Sequence, residues 1–454
     1  MADGSVHCVV TSPPYWGLRK YAGIEEEVPL GLEPTPEQYI ENMVAVFREV
    51  KRILRDDGIV WLNIGDSYSS DIKTGGRNDT DKMYPGSPNG LRPTGIIKLN
   101  TNLKPLDLVG IPWRLAIALQ ADGWYLRSDV IWSKPNPMPE SVNGWRWERH
   151  KIKVGYSKTK RKKQETNYGP NFMLGDNYPF EQPEWRDCPG CPVCEPNDGL
   201  VLRKGAWRPT KAHEYVFLLA KSDHYFGDAD AVREKYPQST IERMKYPVAD
   251  HDVSYDKRMD GWVTTKNRDE RKLVDPNPAG RNLRTVWQIP TQPYSGAHFA
   301  TFPQALVEPC IKAGTSEAGV CPECGSQWAR VVDIGKVIST GGSKTGARAS
   351  NLDVVSVVGQ TPDNAYNTGI FQAHEHITNG FRPTCNCGHD ISIPATVFDP
   401  FVGSGTTLLV ARKLGRSGVG IDLSMPYLKL ARERLSLNKL DDWKNGVGIY
   451  HRKI

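Results

Sequence analysis

The sequence predicts an α/β fold on a mostly parallel sheet. Three observations predict it. Short apolar runs alternate with helical periodicity over the first 140 residues, and the same alternation resumes after residue 394. Near that second region a strand runs into a glycine-rich turn and a helix start, Val397-Phe398-Asp399-Pro400-Phe401-Val402-Gly403-Ser404-Gly405-Thr406-Thr407. Alternation of this kind places helices on the faces of parallel strands.

Val6-His7-Cys8-Val9-Val10 reads as the first strand. Thr35-Pro36-Glu37-Gln38 starts a helix: Thr caps, Pro opens the first turn, and Gln follows three residues after the cap. Ile40, Met43, Val44, Phe47, Val50 and Leu54 continue it at helical spacing, and Asp57-Gly58 reads as its end. Ile59 to Ile64 reads as a buried strand, Pro112 to Gln120 as a helix and Tyr125 to Trp132 as a strand. From about Pro135 to Pro209 the chain is polar and rich in Pro, Gly, Trp and basic residues. Glu214 to Leu219 restores a strand whose partner is expected to be 125–132. A charged stretch from 223 to 290, a helix near Pro303 to Lys312, a Cys-rich segment and a Gly/Ser/Thr-rich segment near 336–372 follow. The last elements are strand 395–399, helix 406–414, strand 418–421 and a helix from Pro426, with no internal repeat.

The 454-residue length suits two or three domains, and no run of 18 apolar residues suggests a membrane span. The N-terminus lacks the pattern of a secretory signal. Nine cysteines, mostly closely paired, point to metal sites in a reducing compartment. Cys321-Pro-Glu-Cys324-Gly and Cys385-Asn-Cys387-Gly have the glycine of a zinc knuckle behind each pair, and four thiolates suit a closed tetrahedral zinc site. Cys188, Cys191 and Cys194 offer three ligands of a second site, for which His150 is the candidate fourth. Ordinary thiols are the alternative for both groups. Net charge is +6, but nine Lys or Arg stand against one acid, Glu148, between Trp145 and Lys163. That block, with Lys158, Lys160, Arg161, Lys162 and Lys163, reads either as a solvated loop or as a phosphate-contacting arm.

The glycines of the 397–407 turn allow close approach of a ligand to the backbone, and the following helix offers free N–H groups. About 20 residues further on, the strand Gly418 to Ile421 ends in Asp422, placed to accept ribose hydroxyls. The turn is not G-x-G-x-x-G and is led by Asp-Pro-Phe, which favours a nucleoside without pyrophosphate, such as S-adenosylmethionine. At the other end, the first strand leaves into Thr11-Ser12-Pro13-Pro14-Tyr15-Trp16. Two prolines fix φ, remove two donors and keep the preceding residues extended, which makes a stiff loop with free carbonyls beside an aromatic face.

These two stretches resemble the catalytic and cofactor motifs of the amino-group DNA methyltransferases, and their order resembles the β group. "WLNIGDSY" (61–68), residues 103–142, "RPTKAHEYVFLLAKS" (208–222) and "HFATFP" (298–303) resemble segments between them, so about half of the chain is covered. The resemblance implies a Rossmann-like S-adenosylmethionine methyltransferase sheet with an antiparallel last strand pair and inserted target-recognition and zinc-binding segments. It implies cofactor contacts from Asp399, Pro400, Phe401, Gly403, Ser404, Gly405, Thr406 and Asp422, and from His298, Phe299 and Phe302 on the methionine side. It also implies a strand ahead of Asp3-Gly4; either the C-terminal segment replaces that strand or the sequence starts after it.

Read this way, 1–138 is the first part of the catalytic domain, 139–207 a basic Cys-containing insertion and 208–222 a catalytic-domain strand. Residues 223–292 are the expected target-recognition region, 293–314 a cofactor-side segment, 315–390 a zinc-ribbon-like insertion and 391–454 the cofactor-binding part.

The chemistry suits the residues. An exocyclic amine is a poor nucleophile because its lone pair is delocalised into the ring. The Ser12 hydroxyl and the Pro13 carbonyl can grip its two hydrogens and favour a pyramidal nitrogen, while Tyr15 offers a face to a flipped base and Pro14 stiffens the loop. Cytosine-C5 chemistry would need a Pro-Cys thiol in that loop; Pro309-Cys310 lies on a helix instead and reads as packing. A zinc deaminase would need His-x-Glu ahead of Pro-Cys-x-x-Cys, which is not present. In the family, Ser at the first loop position is commoner for cytosine N4 and Asp or Asn for adenine N6, so Ser12 favours cytosine and leaves adenine as the alternative. The alternative from another class is a catalytically idle, zinc-stabilised DNA-binding protein. Double-stranded DNA is the expected partner and the cytoplasm of a bacterial, archaeal or phage-infected cell the expected location; a cognate restriction endonuclease is compatible with the resemblance.

Overall fold

In the computed structural model the described residues are 1–17, 30–69, 103–104, 106–137, 139–140, 143–159, 180–239, 242, 280–292, 302–341, 371–437 and 447–451. The central strand, β1 (Val6–Thr11), is buried at every position, as a strand covered on both faces must be. Next comes α1 (Pro36–Ile53), capped as the sequence predicts: the Thr35 hydroxyl accepts from the Gln38 N–H at 3.2 Å, with Pro36 in the first turn.

The helix ends earlier than expected. Leu54 is fully buried and already begins β2 (Leu54–Ile64), so Asp57-Gly58 lies inside a strand and not at a helix stop. The pairing with β1 shifts between Val6↔Leu54 and Cys8↔Ile59, which makes these residues a bulge. Gly58 is needed there, because a Cβ would lie 2.7 Å from the Leu54 side chain.

The chain continues through α2 (Ile111–Ala121), β3 (Tyr125–Ser133), β4 (Arg146–Arg149), β5 (Lys151–Thr159), β6 (Phe180–Asp187), β7 (Leu200–Arg203), β8 (His213–Ala220) and β9 (Val286–Gln288). It then forms α3 (Gln304–Gly314), β10 (Trp328–Gly341), β11 (Phe371–Pro383), β12 (Thr396–Asp399), α4 (Thr406–Lys413), β13 (Ser417–Asp422), α5 (Met425–Arg434) and β14 (Val447–His451). Eight strands make one sheet in the order β14-β13-β12-β1-β2-β8-β3-β9. Neighbours are parallel except β8, which is antiparallel to both β2 and β3, as the sequence expectation for 125–132 and 214–219 requires. β14 brings a C-terminal segment to the edge beside β13, with Asp422 opposite His451.

Both faces are covered. Val9, Leu62 and Phe217 pack with Tyr39, Met43 and Phe47 of α1 and Leu115 and Leu119 of α2. Cys8, Val10, Trp61 and Val216 pack with Leu306, Val307 and Ile311 of α3 and Val410 and Ala411 of α4. Each fully buried large side chain of this kind contributes about 1.5–3 kcal/mol. Among the described residues between 139 and 207 stand two antiparallel pairs, β4/β7 and β5/β6, and between 315 and 390 the antiparallel pair β10/β11. No helix among the described residues is long and apolar enough to cross a membrane.

Candidate active site and metal centres

Parallel strands put their carboxyl ends on one edge, and the loops there form the crevice of an open α/β sheet. At that edge stand Thr11 at the end of β1, Asn63 near the end of β2, Asp399 at the end of β12 and Asp422 at the end of β13. β8 runs the other way, so its amino end brings Glu214 to the same edge, beside Lys134 just after β3.

The Ser12–Tyr15 loop is held by side chains from three elements. Tyr39 of α1 donates its hydroxyl to the Pro14 carbonyl at 2.9 Å. The Tyr15 hydroxyl donates to Glu214 Oε2 at 2.7 Å and lies 3.2 Å from Asn63 Oδ1. Ser12 Oγ donates to the Tyr15 hydroxyl at 3.4 Å. The other Glu214 oxygen pairs with Lys134, whose ammonium also sits 4.4 Å from the centre of the Trp132 ring. Gly65 is the floor under Tyr15: a Cβ there would come within 2.5 Å of the ring. Asp66 belongs to the scaffold, since its carboxylate accepts from the N–H groups of Ser67, Gly110 and Ile111 at the start of α2.

The sequence points to Ser12, Pro13, Pro14 and Tyr15 but not to Asn63, Gly65, Lys134 or Glu214. The signal for the latter lies inside the segments 61–68, 103–142 and 208–222, but their pairing depends on strand order, which local patterns do not carry.

Across the β1–β12 seam, Asp399 is almost fully buried. Its carboxyl accepts from the Thr11 hydroxyl at 2.6 Å and the Phe401 N–H at 3.0 Å, and its other oxygen is 2.7 Å from Thr407 Oγ1. Burial, ahead of these bonds, pushes the Asp399 carboxyl up to about 6. The neutral form is well accommodated: a proton on Oδ2 can be given to Thr407 Oγ1, because that hydroxyl can donate to the Val10 carbonyl at 3.1 Å.

The sign follows. The folded state binds the Asp399 proton more tightly than the unfolded chain, so the group favours folding at low pH. That contribution is lost as pH rises from about 4 to about 6. Asp399→Asn is therefore expected to match the wild type near pH 4 and to exceed it in stability above pH 6. A carboxyl raised from its ordinary range to about 6 sets that gap at about 3 kcal/mol. Urea midpoints from pH 4 to 8 check this; a gap that does not change with pH contradicts it.

The glycine-rich turn is locked from both sides. Gly403 and Gly405 have φ of +48° and +80°, a region that favours glycine. The Gly403 N–H donates to Asp422 Oδ2 at 2.9 Å, and the Ser424 N–H donates to Asp422 Oδ1 at 2.8 Å. A carboxylate offers about four acceptor positions, so tying down the turn and gripping a ribose are compatible tasks. Arg434 of α5 donates to Ser404 Oγ and Thr406 Oγ1, both at 2.9 Å, which makes these two residues part of the turn's frame. Pro400 is buried and Phe401 packs on the core beside Phe398. Phe302 is half-buried on the opposite face of the sheet, and His298 and Phe299 lie outside the described residues.

Both cysteine groups assemble. His150, between β4 and β5, meets Cys188, Cys191 and Cys194, and Cys321 and Cys324 meet Cys385 and Cys387. Within each group the donor atoms lie within 4.8 Å of one another. His150 Nδ1 is 3.4 Å and Cys194 Sγ 3.7 Å from Cys191 Sγ. Tetrahedral zinc with Zn–S of about 2.3 Å puts its sulfurs about 3.8 Å apart, so the donor sets fit that ion. The Ser326 hydroxyl lies 3.2 Å from Cys324 Sγ. The Cys321–Cys387 group is tied to the sheet: Arg55 donates to the Cys324 carbonyl at 2.7 Å, and His7 Nε2 lies 2.9 Å from the Gly325 carbonyl.

Cys310 is buried on α3, donates to the Leu306 carbonyl and is pushed up by burial, so it is a packing residue as expected. Lys160, Arg161, Lys162 and Lys163 lie outside the described residues, as does the side chain of Lys158.

Fold and strand-end geometry together define an open α/β sheet whose carboxyl edge carries a glycine-rich turn at one end and a Ser-Pro-Pro-Tyr loop at the other. The family model of the N6/N4 methylases, described as DNA methylase, matches residues 6–322 and 392–433. The chain is 36% identical to type II methyltransferase M.Cfr9I of Citrobacter freundii over 69% of its length and 68% of that protein. It is 31% identical to M.SmaI of Serratia marcescens over 94% of its length and 83% of that protein. Among solved structures, PvuII DNA methyltransferase (cytosine-N4-specific) aligns with 100% of this chain and 91% of its own at 12% identity, with a TM-score of 0.42. The chain belongs to the N6/N4 DNA methylase family and is a DNA methyltransferase.

Proposed function

We propose that the protein transfers a methyl group from S-adenosylmethionine to the N4 amino group of a cytosine flipped out of double-stranded DNA. The observation that carries the reading is the loop that leaves β1 with Ser12 at its head. Tyr39 occupies the Pro14 carbonyl and Glu214 takes the Tyr15 hydroxyl, which leaves Ser12 Oγ and the Pro13 carbonyl as the acceptors for the two amine hydrogens. S-adenosylmethionine supplies the electrophilic methyl. Asp422 would take its ribose, the Gly403–Gly405 turn would approach it closely, and Phe401, Phe302, His298 and Phe299 would line the rest of its site. Ser at the head of the loop favours cytosine over adenine N6.

Zinc in the two Cys-containing groups is assigned a structural role. The 139–207 insertion is the proposed DNA-contacting element. Trp145, Trp147 and Trp207 are exposed there among Arg146, Arg149 and Arg203, and Lys204 lies 4.8 Å from the Trp145 ring centre. Such faces suit base stacking and phosphate contact. The neighbouring lysines 158–163 would add phosphate contacts, and 223–292 would add sequence recognition. Type II relatives make a cognate restriction endonuclease the natural companion.

The test is mass spectrometry of nucleosides from DNA treated with the pure protein and S-adenosylmethionine. N4-methyldeoxycytidine is expected. N6-methyldeoxyadenosine would overturn the cytosine assignment, and no methylated nucleoside would overturn the activity.

A further inference from the structure

We infer that Glu214 is the terminal acceptor of the proton released by methyl transfer, reached from Ser12 through Tyr15. The inference rests on the amine-methylation reading above. The amine nitrogen forms its bond to the methyl carbon as the carbon–sulfur bond breaks, with the bonding pair kept by sulfur. The nitrogen then carries a positive charge and one proton too many. Neither an alcohol nor an amide carbonyl keeps that proton, so Ser12 and Pro13 can hold the amine but cannot neutralise it.

Among the described residues, three other carboxylates at the sheet edge are committed elsewhere. Asp66 caps α2, Asp399 lies behind Thr11 and Thr407, and Asp422 holds the glycine turn. Glu214 is different, because two hydroxyls lead to it and each donates in its direction: Ser12 to Tyr15 at 3.4 Å, and Tyr15 to Glu214 at 2.7 Å. A proton given to Ser12 Oγ displaces the Ser12 hydrogen to Tyr15 Oη, and the Tyr15 hydrogen to Glu214 Oε2. Both hydroxyls end neutral, and the carboxylic acid returns its proton to water after product leaves. Lys134 fixes the second oxygen, and Asn63 Nδ2, which donates to the Tyr215 carbonyl at 3.1 Å, stands 3.3 Å from the first. Glu214 and Lys134 have side chains only 15% and 19% exposed, so the carboxylate is held on target.

Glu214→Gln separates proton acceptance from support, because the amide oxygen still accepts the Tyr15 hydroxyl but cannot take its proton. The single-turnover rate of methyl transfer is expected to fall by roughly 10²-fold. Affinities for S-adenosylmethionine and for DNA, measured by calorimetry and by fluorescence anisotropy, should stay within about twofold. Tyr15→Phe should fall comparably, and the double variant no further, since the residues act as one path. In Glu214→Ala, added formate should restore part of the rate while formamide does not. A Glu214→Gln variant that turns over at the wild-type rate, or one that loses rate only in proportion to lost affinity, would overturn the inference. Wild-type protein that makes no methylated nucleoside would instead remove the reading beneath it.

Discussion

Ser12→Ala is expected to lower the single-turnover rate of methyl transfer by roughly 10²-fold or more, the scale seen when one preorganised polar contact to a reacting group is removed. Binding should hardly change. Ser12 is half-buried and its hydroxyl makes a long, 3.4 Å bond to Tyr15, so the fold gains little from it. The loop itself stays in place, because the Pro14 carbonyl and the Tyr15 hydroxyl are anchored by Tyr39 and Glu214. A rapid-quench assay with labelled S-adenosylmethionine, beside calorimetric cofactor affinity, reads both quantities. Wild-type turnover in the variant would remove Ser12 from the reaction.

Loss of the zinc proposed for the Cys321–Cys387 group is expected to have the largest effect on stability. Cys321→Ser combined with Cys385→Ser should leave one zinc per chain where the wild type carries two, by elemental analysis. The thermal midpoint should drop by about 10 °C or more, since binding energy at a structural zinc site is folding energy. The group joins positions 321–324 to 385–387 and so closes a long loop. Through the carbonyls of Cys324 and Gly325 it also meets Arg55 and His7, and His7 Nδ1 in turn accepts the Thr396 N–H at 3.0 Å. Loss there should reach the β1–β12 seam. Loss of the group at His150 should stay within the 139–207 insertion and weaken DNA binding instead. A metal-free wild-type protein with an unchanged midpoint would reduce both groups to ordinary thiols.

Legibility in the sequence follows the range of the interactions. Thr35-Pro36 announces its helix because a cap is a contact between near neighbours. The buried strands show as apolar runs, and β8 can be paired with β3 because the polar stretch between them has to be an insertion. Asp57-Gly58 misleads because the same residues that stop helices also build bulges, and only the burial of Leu54 decides between the two. β10 and β11 are not marked in the sequence: their described side chains, 328–333 and 377–383, are half-buried or exposed, and the two cysteine pairs that meet flank them. His150 is a candidate fourth ligand on sequence for want of another, and the chain folds it there. Glu214 and Lys134 are hidden for the opposite reason: a Lys–Glu pair 80 residues apart looks like two solvated charges until an antiparallel strand sets them side by side.

The pairing of β1 with β12 has a consequence for how the molecule is made. Val9 lies against Phe398 in the middle of the sheet, yet a ribosome adding roughly 5–20 residues per second delivers the second long after the first. Through that interval β1, β2, β8 and β3 can assemble with α1 and α2 as a half-sheet. The free side of β1 then presents an unpaired, wholly buried-type strand, the kind of edge that recruits other chains. Loop closure over so many residues is slow to reward. Newly made chains should therefore aggregate, or occupy a chaperone, as long as β12 and the segment after it are missing. The glycine turn is made long after the Ser12 loop, and the two cannot meet before β12 and that turn have left the ribosome.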